Sequence, residues 1–410
     1  MEISELSASV IWDSKARPTI RVDLKADGIK TFACAPSGTS VGKFEAQAFP
    51  KEGAERAALI VNKEISKQLT AFEITDLAEV DDKLRSIDGT DNFSRIGGNT
   101  AIAISTAVAK GLSELEGKML CEYLSERREM RLPFPLSNII GGGRHTIGDS
   151  LDFQEFLVIP IGAKNLVQAA TFNSQVHKEV GNMITEKHPS YVLGRNDEGA
   201  WAAPLRISEA LTLLASALEK IEKNSGVKGK IGIDVAASEF WDGRRYKYKK
   251  EGQELNIDGQ VNYMEKLAED YPVIYLEDPF EENDFDAFSK LNQEARGKFL
   301  VVGDDLIVTN PKRLEAAIIK HSISGAIIKP NQIGTLTDVK TTVEMASKNH
   351  IVPVASHRSG ETVDTSLAHI AVGLNCSILK IGISGSERLE KLNELMKIER
   401  SLRIGMAKLF

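Results

Sequence analysis

Apolar and polar residues alternate along the first 50 residues, which is typical of strands that bury one face. Two such stretches, ASVIWDS and TIRVDLKA, are followed by the turn ADGIK and a third stretch, TFACAP. The pattern then changes, because residues 51–125 place small and apolar residues at helical spacing, most clearly in NTAIAISTAVAKGLSELEG. The sequence therefore predicts an α+β N-terminal domain, three strands followed by helices, over residues 1–125.

A repeated alternation of short apolar runs and helix-like segments follows the proline-containing stretch RLPFPLSN. The runs include IGIDVA, PVIYLEDP, FLVVGDD, GAIIKP, VPVASHR and CSILKIG. Many of them recur at intervals of roughly 25 residues, about the length of a strand and a returning helix, so we expect parallel strands covered by helices. An open doubly wound sheet and a closed (β/α)8 barrel both have that form. Because no GxGxxG turn follows the first run, we predict a (β/α)8-type barrel over residues 126–410.

Composition and charge narrow the range of functions. The chain has 410 residues and a formal net charge of −7, whereas proteins that bind nucleic acid or anionic membranes present a basic face. No apolar run approaches the roughly 18 residues that span a bilayer, and the first residues lack the layout of a signal peptide. Cys34, Cys121 and Cys376 are far apart and form no CxxC motif, which is typical of a reducing compartment. We therefore expect a cytoplasmic protein that binds neither nucleic acid nor membrane.

Polar residues stand at the end of each apolar run, where their neighbours give no reason to expect them. They are Asp234, Glu277, Asp304, Lys329, His357 with Arg358, and Lys380. In a (β/α)8 barrel these ends form one ring, and their side chains converge on a common site. Three carboxylates on consecutive strands, without cysteine, favour a hard cation such as Mg2+. A single acid after a strand is more often a helix cap or a surface ion pair, and this is our interpretation of Asp278, Asp305 and Glu239 individually.

Two features of the ring indicate its chemistry. Adjacent carboxylates at Asp304 and Asp305 would be costly if both were buried without a partner. We expect a metal ion to stabilise one of them and the other to point away, because side chains alternate along a strand. Burial favours a neutral lysine amine, and a nearby cation favours it further, so Lys329 or Lys380 could act as a general base near neutral pH.

The order of several motifs resembles that of the enolase family over nearly the whole chain. These motifs are PSGTSVGKFEA, IDGTDNFSRIGGNTAIAIS, SNIIGGGRH, QEFLVIP, NDEGAWAAP, GIDVAASEF, YLEDPFEENDF, VVGDDLIVTNP, IIKPNQIGTLTD, SHRSGET and GSERLEKLNELMKIE. The resemblance implies a lyase, phosphopyruvate hydratase, which dehydrates 2-phospho-D-glycerate reversibly to phosphoenolpyruvate in glycolysis and gluconeogenesis. It also implies a homo-oligomer, dimer or octamer, and two Mg2+ ions in each active site.

The resemblance implies roles for single residues. The expected metal ligands are Asp234, Glu277 and Asp304 for the first Mg2+ ion and Ser40 for the second. Lys329 would remove the proton at C2, Lys380 would lie against the substrate carboxylate, and Glu198 would protonate the departing hydroxyl group. The other residues expected to face the substrate are His145, Gln154, Glu155, and, at the phosphate, Arg358 and Ser359.

Some segments depart from the usual pattern of the family. SGTSVG stands where SGASTG is usual, NDEGAW where DEGGF is usual, and the segment between His145 and Glu155 is one residue longer. Two alternatives remain: an enolase-superfamily enzyme acting on another acid, and a non-catalytic scaffold on the same fold. The retained lysines and the SHRS segment count against the first, and the intact metal ligands count against the second.

Overall fold

The N-terminal part of the chain begins with an antiparallel sheet. The computed structural model describes residues 1–38, 42–70, 73–126, 129–146 and 150–409. The sheet has the order β1–β2–β3, with β1 (Ile3–Trp12), β2 (Pro18–Ala26) and β3 (Ile29–Cys34). Buried residues of β2 mostly alternate with more exposed ones, as the sequence predicts for a sheet with one buried face.

Helices follow this sheet, as predicted from the change of periodicity. They are α1 (Ala54–Ile60), a π-helical stretch (Val61–Ile65), α2 (Ser66–Leu69), α3 (Leu77–Asp88), α4 (Gly98–Leu115) and α5 (Leu120–Ser125). Helix α4 is buried along almost its whole length. It packs against β2 and β3 and also reaches the turn 330–332 of the second part of the chain. This double contact explains why the helix lacks a polar face.

Among the residues that the structure describes, eight strands close into a barrel. In order around the barrel they are β4 (Phe134–Gly141), β5 (Glu155–Ile159), β8 (Lys230–Asp234), β11 (Val273–Glu277), β12 (Leu300–Gly303), β13 (Gly325–Ile328), β14 (Val352–Ser356) and β15 (Ile378–Lys380). The ring closes where β15 pairs with β4. The predicted fold class is therefore confirmed: a (β/α)8-type barrel preceded by a smaller α+β part.

One strand differs from the predicted parallel arrangement. β5 runs antiparallel to both of its neighbours, β4 and β8, whereas the other pairs in the ring are parallel. Residues 142–154 join β4 to β5, and the described part of this stretch, 142–146 and 150–154, contains no crossover helix. Strands joined in this way pair antiparallel. As a result, β5 begins at the end of the barrel where the other strands finish.

Helices cover the outside of the barrel. They are α6 (Leu166–Lys187), α7 (Ile207–Ser225), α8 (Ile257–Asp270), α9 (Phe285–Ala295), α10 (Pro311–Ile319), α11 (Leu336–Lys348), α12 (Ser366–Gly373) and α13 (Ser386–Leu402). Smaller strands are β6 (Gly194–Arg195) and β7 (Trp201–Ala202), which extend the sheet from β4, and the hairpin of β9 (Tyr246–Tyr248) and β10 (Gln253–Leu255). Within the described ranges, none of the helices combines the length and apolar character needed to cross a bilayer.

The N-terminal part packs directly on the barrel. One apolar cluster joins buried residues of β2, α4 and α5 to those of α11, α12 and α13. Near the ends of the barrel strands, the backbones of Ser37 and Gly360 are hydrogen-bonded to each other, and Asn331 Nδ2 donates to Asn99 Oδ1 at 3.0 Å. The chain around Ser37 therefore lies at the mouth of the barrel, where the predicted site residues converge.

Candidate active site

The register of the barrel brings the predicted acidic residues into one row. Glu155 at the start of β5 lies opposite Asp234 at the end of β8, which in turn lies opposite Glu277 at the end of β11. Asp304 follows β12 immediately, and the side chains of all four are buried. Glu155 belongs to the row only because β5 is reversed, since the first residue of a parallel strand would lie at the opposite end of the barrel.

Lys380 lies among these carboxylates. Its Nζ is 2.8 Å from Asp234 Oδ2, 2.8 and 2.9 Å from the two oxygens of Glu277, and 3.3 Å from Glu155 Oε1. Tyr275 donates a further hydrogen bond of 2.6 Å to Glu277 Oε2. A lysine at the end of an apolar strand is explained by these contacts, because its buried charge is balanced inside the barrel.

Lys329 contacts Asp304, which lies at one end of the row. Its Nζ is hydrogen-bonded to Asp304 Oδ2, while Gln332 Nε2 is 3.3 Å from Asp304 Oδ1. Within the row, Gln154 Nε2 donates to Asp234 Oδ2 at 3.1 Å. Side-chain amides therefore orient two of the three predicted metal ligands.

The pKa values reflect a surplus of carboxylates over ammonium groups. Burial raises the pKa of Glu277 to about 8, and the neighbouring Asp234 adds to the rise. Burial by itself would lower the pKa of Lys329, but Asp304 outweighs it and the net pKa is raised. Without a bound cation the paired Asp304 carboxylate therefore stabilises the charged amine of Lys329, and the expectation of a readily neutralised lysine beside Mg2+ stays a prediction. The same surplus of negative charge is the condition that favours a bound cation.

Asp305 does not point away from the site, contrary to expectation. Asp304 and Asp305 lie beyond the end of β12, in the turn 304–308, so the alternation of a strand does not apply to them. Carboxylate oxygens of Asp278, Asp304 and Asp305 lie within 4.8 Å of one another. Asp278 holds this turn, because the backbone N–H groups of Asp304 and Asp305 donate to its two oxygens at 2.9 and 2.8 Å. Burial raises the pKa of Asp305 to about 7, and Asp304 adds to the rise.

A second group of side chains surrounds Glu198, in the turn between β6 and β7. Asn138 Nδ2 donates to Glu198 Oε2 at 3.0 Å, His145 Nδ1 is 3.4 Å from Oε1, and His357 Nε2 is 3.7 Å from Oε2. His145 Nδ1 is also 3.7 Å from Glu155 Oε1 and so connects this group to the carboxylate row. Burial raises the pKa of Glu155, and Glu198 raises it further. Burial alone would also raise the pKa of Glu198, but His145, His357 and nearby cations outweigh it and hold the pKa of that carboxyl well below its usual range.

Arg388, on α13, fixes the position of the proton on His357. The buried Arg388 donates from Nε to His357 Nδ1 at 3.2 Å. Because Nδ1 accepts that bond, the neutral ring carries its proton on Nε2, the nitrogen that faces Glu198. Burial holds the pKa of His357 well below its usual range, so the ring is neutral. Gly382 permits the arrangement, since a Cβ there would lie 2.7 Å from Arg388 Cδ and 2.5 Å from the Glu198 carbonyl oxygen.

Loss of this contact gives a first prediction. Arg388→Met is expected to lower kcat about 10- to 100-fold with a smaller change in KM, by analogy with the loss of an outer partner of a metal ligand. The reason is that His357 no longer presents a defined N–H to Glu198. The nitrogen chemical shifts of His357 report the tautomer directly, and we expect a mixture of tautomers in the variant. Lys397→Met removes another cation of α13, one that is exposed and pairs with Glu394 at 3.0 Å, and serves as the control. Lost activity with an unchanged tautomer would contradict the positioning role.

Arg358 and Ser359, which follow β14, also lie at the mouth. Arg358 Nη1 donates to Asn331 Oδ1 at 2.9 Å and to Glu45 Oε2 at 3.0 Å, and Nη2 donates to Glu45 Oε1 at 3.2 Å. Ser359 is buried beside it. Ser40 lies outside the described residues, so its role as a metal ligand stays a prediction.

Sequence reasoning missed several side chains that orient the others. They are Glu45, Asn138, Tyr275, Asn331, Gln332 and Arg388. All of them lie within the motifs that carry the family resemblance, so the motifs themselves were the available signal. Nothing in residue type alone distinguishes them from ordinary surface residues.

The fold and these side chains define a barrel enzyme with a centre of carboxylates and lysines at the ends of its strands. The family model "Enolase, N-terminal domain" matches residues 3–124, and "Enolase, C-terminal TIM barrel domain" matches residues 129–407. The enolase of Methanosphaera stadtmanae is 43% identical over 98% of this chain and 97% of its own length. The enolase of Archaeoglobus fulgidus is 42% identical, over 97% of this chain and 97% of its own. The chain belongs to the enolase family, and the predicted enolase function is confirmed.

Proposed function

We propose that this chain catalyses the reversible, Mg2+-dependent dehydration of 2-phospho-D-glycerate to phosphoenolpyruvate in glycolysis and gluconeogenesis. The observation that carries the proposal is that Lys329 and Glu198 line one cavity from different sides, one after β13 and the other beside β4. Removal of a proton next to a carboxylate requires a base, and loss of a hydroxyl group from the next carbon requires a separate acid. The enolase relatives support the same reaction.

The carboxylate row fits Mg2+ in its chemistry. Asp234, Glu277 and Asp304 offer the oxygen ligands that Mg2+ prefers, and the pKa of Glu277 is raised by burial first and by the neighbouring Asp234 second. We propose that these three residues hold the first ion and that Ser40 contributes to the second. A metal ion bound there supplies positive charge that stabilises the charge developing on the substrate carboxylate.

We assign the remaining catalytic roles to Lys329, Lys380 and Glu198. Lys329 is the proposed base at C2 of the substrate, and its bond to Asp304 holds the amine beside the carboxylate row. Lys380, bonded to three carboxylates, adds positive charge where the substrate carboxylate would lie. Glu198 is the proposed acid; Asn138 donates a hydrogen bond to it, and His145 and His357 lie 3.4 and 3.7 Å from its carboxylate oxygens.

Five further residues are proposed to face the substrate. They are His145, Gln154, Glu155, Arg358 and Ser359, and all of them line the same cavity. The planar guanidinium group of Arg358 suits the oxygens of a phosphate group. We assign Arg358 and Ser359 to the phosphate, and His145 and Glu155 to the surroundings of Glu198, because His145 Nδ1 lies 3.4 Å from Glu198 Oε1 and 3.7 Å from Glu155 Oε1.

Several wider features complete the proposal. We place the boundary between the N-terminal domain and the barrel domain at residues 125 and 126, since one family match ends at residue 124 and the next begins at residue 129. From the resemblance to the family we also propose a cytoplasmic homo-oligomer, a dimer or an octamer, that acts on a small-molecule substrate.

Turnover tests the proposed reaction. The ultraviolet absorbance of phosphoenolpyruvate is followed after addition of 2-phospho-D-glycerate, first with Mg2+ and then with excess chelator. We expect product to form with Mg2+, to stop with chelator, and to form again when Mg2+ is restored, because the carboxylate row needs the cation to stabilise the developing charge. A folded protein that binds Mg2+ but forms no phosphoenolpyruvate would overturn the substrate assignment.

A further inference from the structure

The guanidinium group proposed to bind phosphate already holds an anion of the protein itself. Arg358 Nη1 is 3.0 Å from Glu45 Oε2, and Nη2 is 3.2 Å from Glu45 Oε1. The side chains of Arg358 and Glu45 are only 3% and 5% exposed, so water screens the pair little. An arginine fork presents the same parallel donors to a carboxylate as to a phosphate group. Glu45 therefore occupies the position that an incoming phosphate would prefer.

Glu45 also fixes the chain around it. The Gly42 N–H group donates to Glu45 Oε1 at 2.9 Å, and Gln332 Nε2 is 3.3 Å from the same oxygen. A Cβ added to Gly42 would lie 2.7 Å from the Val308 side chain, so the backbone at this point lies directly on the barrel mouth. A single carboxylate thus ties this stretch of chain to Arg358.

We propose that Glu45 is an internal counter-anion, which competes with the substrate phosphate for Arg358 and leaves the guanidinium group when phosphate binds. The inference rests on the proposed function, because it takes Arg358 as the phosphate ligand. A phosphate group beside the buried Glu45 carboxylate meets like charge, and this repulsion weakens binding until Glu45 leaves. Its departure breaks the bond from Gly42, so phosphate binding and the position of residues 42–46 are coupled.

Binding of inorganic phosphate to the full chain tests this competition. Calorimetric titrations of the wild type and of Glu45→Gln are compared in buffer with chelator, so that no divalent cation contributes. Glutamine keeps the size of the side chain and removes its charge, and we expect phosphate to bind the variant about tenfold more tightly or better. If Glu45 instead orients Arg358 for phosphate, the variant binds phosphate equally or more weakly, and the proposal is wrong.

Two control variants locate the effect. Glu52→Gln removes the same charge from an exposed residue of the same part of the chain, and we expect its phosphate affinity to match the wild type. Arg358→Met in the Glu45→Gln background is expected to abolish the gain. A gain that survives without Arg358 would place the phosphate elsewhere and overturn the proposal.

Amide hydrogen exchange at Gly42 gives a second test that needs no variant. In the wild type, phosphate is expected to speed exchange of this amide, because its acceptor is withdrawn; unchanged or slower exchange contradicts displacement.

Turnover separates this inference from the proposed function. If the wild type dehydrates 2-phospho-D-glycerate but Glu45→Gln does not bind phosphate more tightly, only this inference is wrong. If Glu45→Gln binds phosphate more tightly but the wild type forms no phosphoenolpyruvate, only the proposed reaction is wrong.

Discussion

Lys329→Ala is expected to lower kcat for the dehydration of 2-phospho-D-glycerate about a thousandfold or more, within the range for loss of a positioned general base. The physical reason is that alanine leaves no proton acceptor at the end of β13, although the cavity keeps its other charged groups. Mg2+ binding is expected to persist, because the lost amine competes for Asp304 rather than supporting it. Initial rates give kcat, and calorimetry gives the Mg2+ affinity.

Exchange of the C2 proton with solvent separates the roles of base and acid. In heavy water, Lys329→Ala is expected to lose incorporation of deuterium at C2, whereas Glu198→Gln is expected to retain it while forming little product. The opposite pattern would exchange the two assignments. Lys348→Ala, at an exposed lysine of α11 whose side chain is 77% accessible, is the matched control and should exchange and turn over normally.

Glu277→Gln is expected to weaken Mg2+ binding by more than about a hundredfold, since loss of even an outer partner of a metal ligand costs about 10- to 100-fold. The substitution removes one of three charged oxygen donors and leaves the volume of the side chain nearly unchanged. Turnover at fixed Mg2+ falls in parallel and recovers partly when the Mg2+ concentration is raised. Calorimetric titration with Mg2+ alone measures the affinity without relying on activity.

A matched substitution shows whether the effect belongs to the row. Glu239→Gln changes an acid that lies outside it and pairs with Arg144, and its Mg2+ affinity should equal that of the wild type. If Glu277→Gln binds Mg2+ normally, the ion is held by other groups. The neighbouring cluster of Asp278, Asp304 and Asp305 is then the alternative, since its oxygens lie within 4.8 Å of one another.

The residues at the strand ends were predictable because a barrel places the ends of its parallel strands in one ring. Asp234, Glu277, Lys329 and Lys380 each follow an apolar run, and the structure brings them together at one mouth. The two-part organisation was predictable for a related reason, since the period of the pattern changes from alternation to helical spacing and then to repeated strand and helix units.

Other features could not be derived from local pattern. The run QEFLVIP is apolar on both faces, and a strand buried on both sides carries no indication of its direction, so the reversal of β5 was missed. Asp305 was misplaced because the strand ends at Gly303, two residues before it. The pair of Glu45 and Arg358 joins positions 313 residues apart, and only the packing of the N-terminal part on the barrel brings them into contact.

The hairpin of β4 and β5 also has a consequence for how such an enzyme diversifies. His145, Gln154 and Glu155 all come from one short stretch of chain between the end of β4 and the start of β5, whereas Asp234, Asp304, Lys329 and Lys380 each come from the end of a different barrel strand. Exchange of this single stretch between relatives would rebuild one whole wall and leave the lysines and the remaining acids in place. A change of substrate through this stretch would therefore alter one side of the cavity and leave the lysines at the strand ends unchanged.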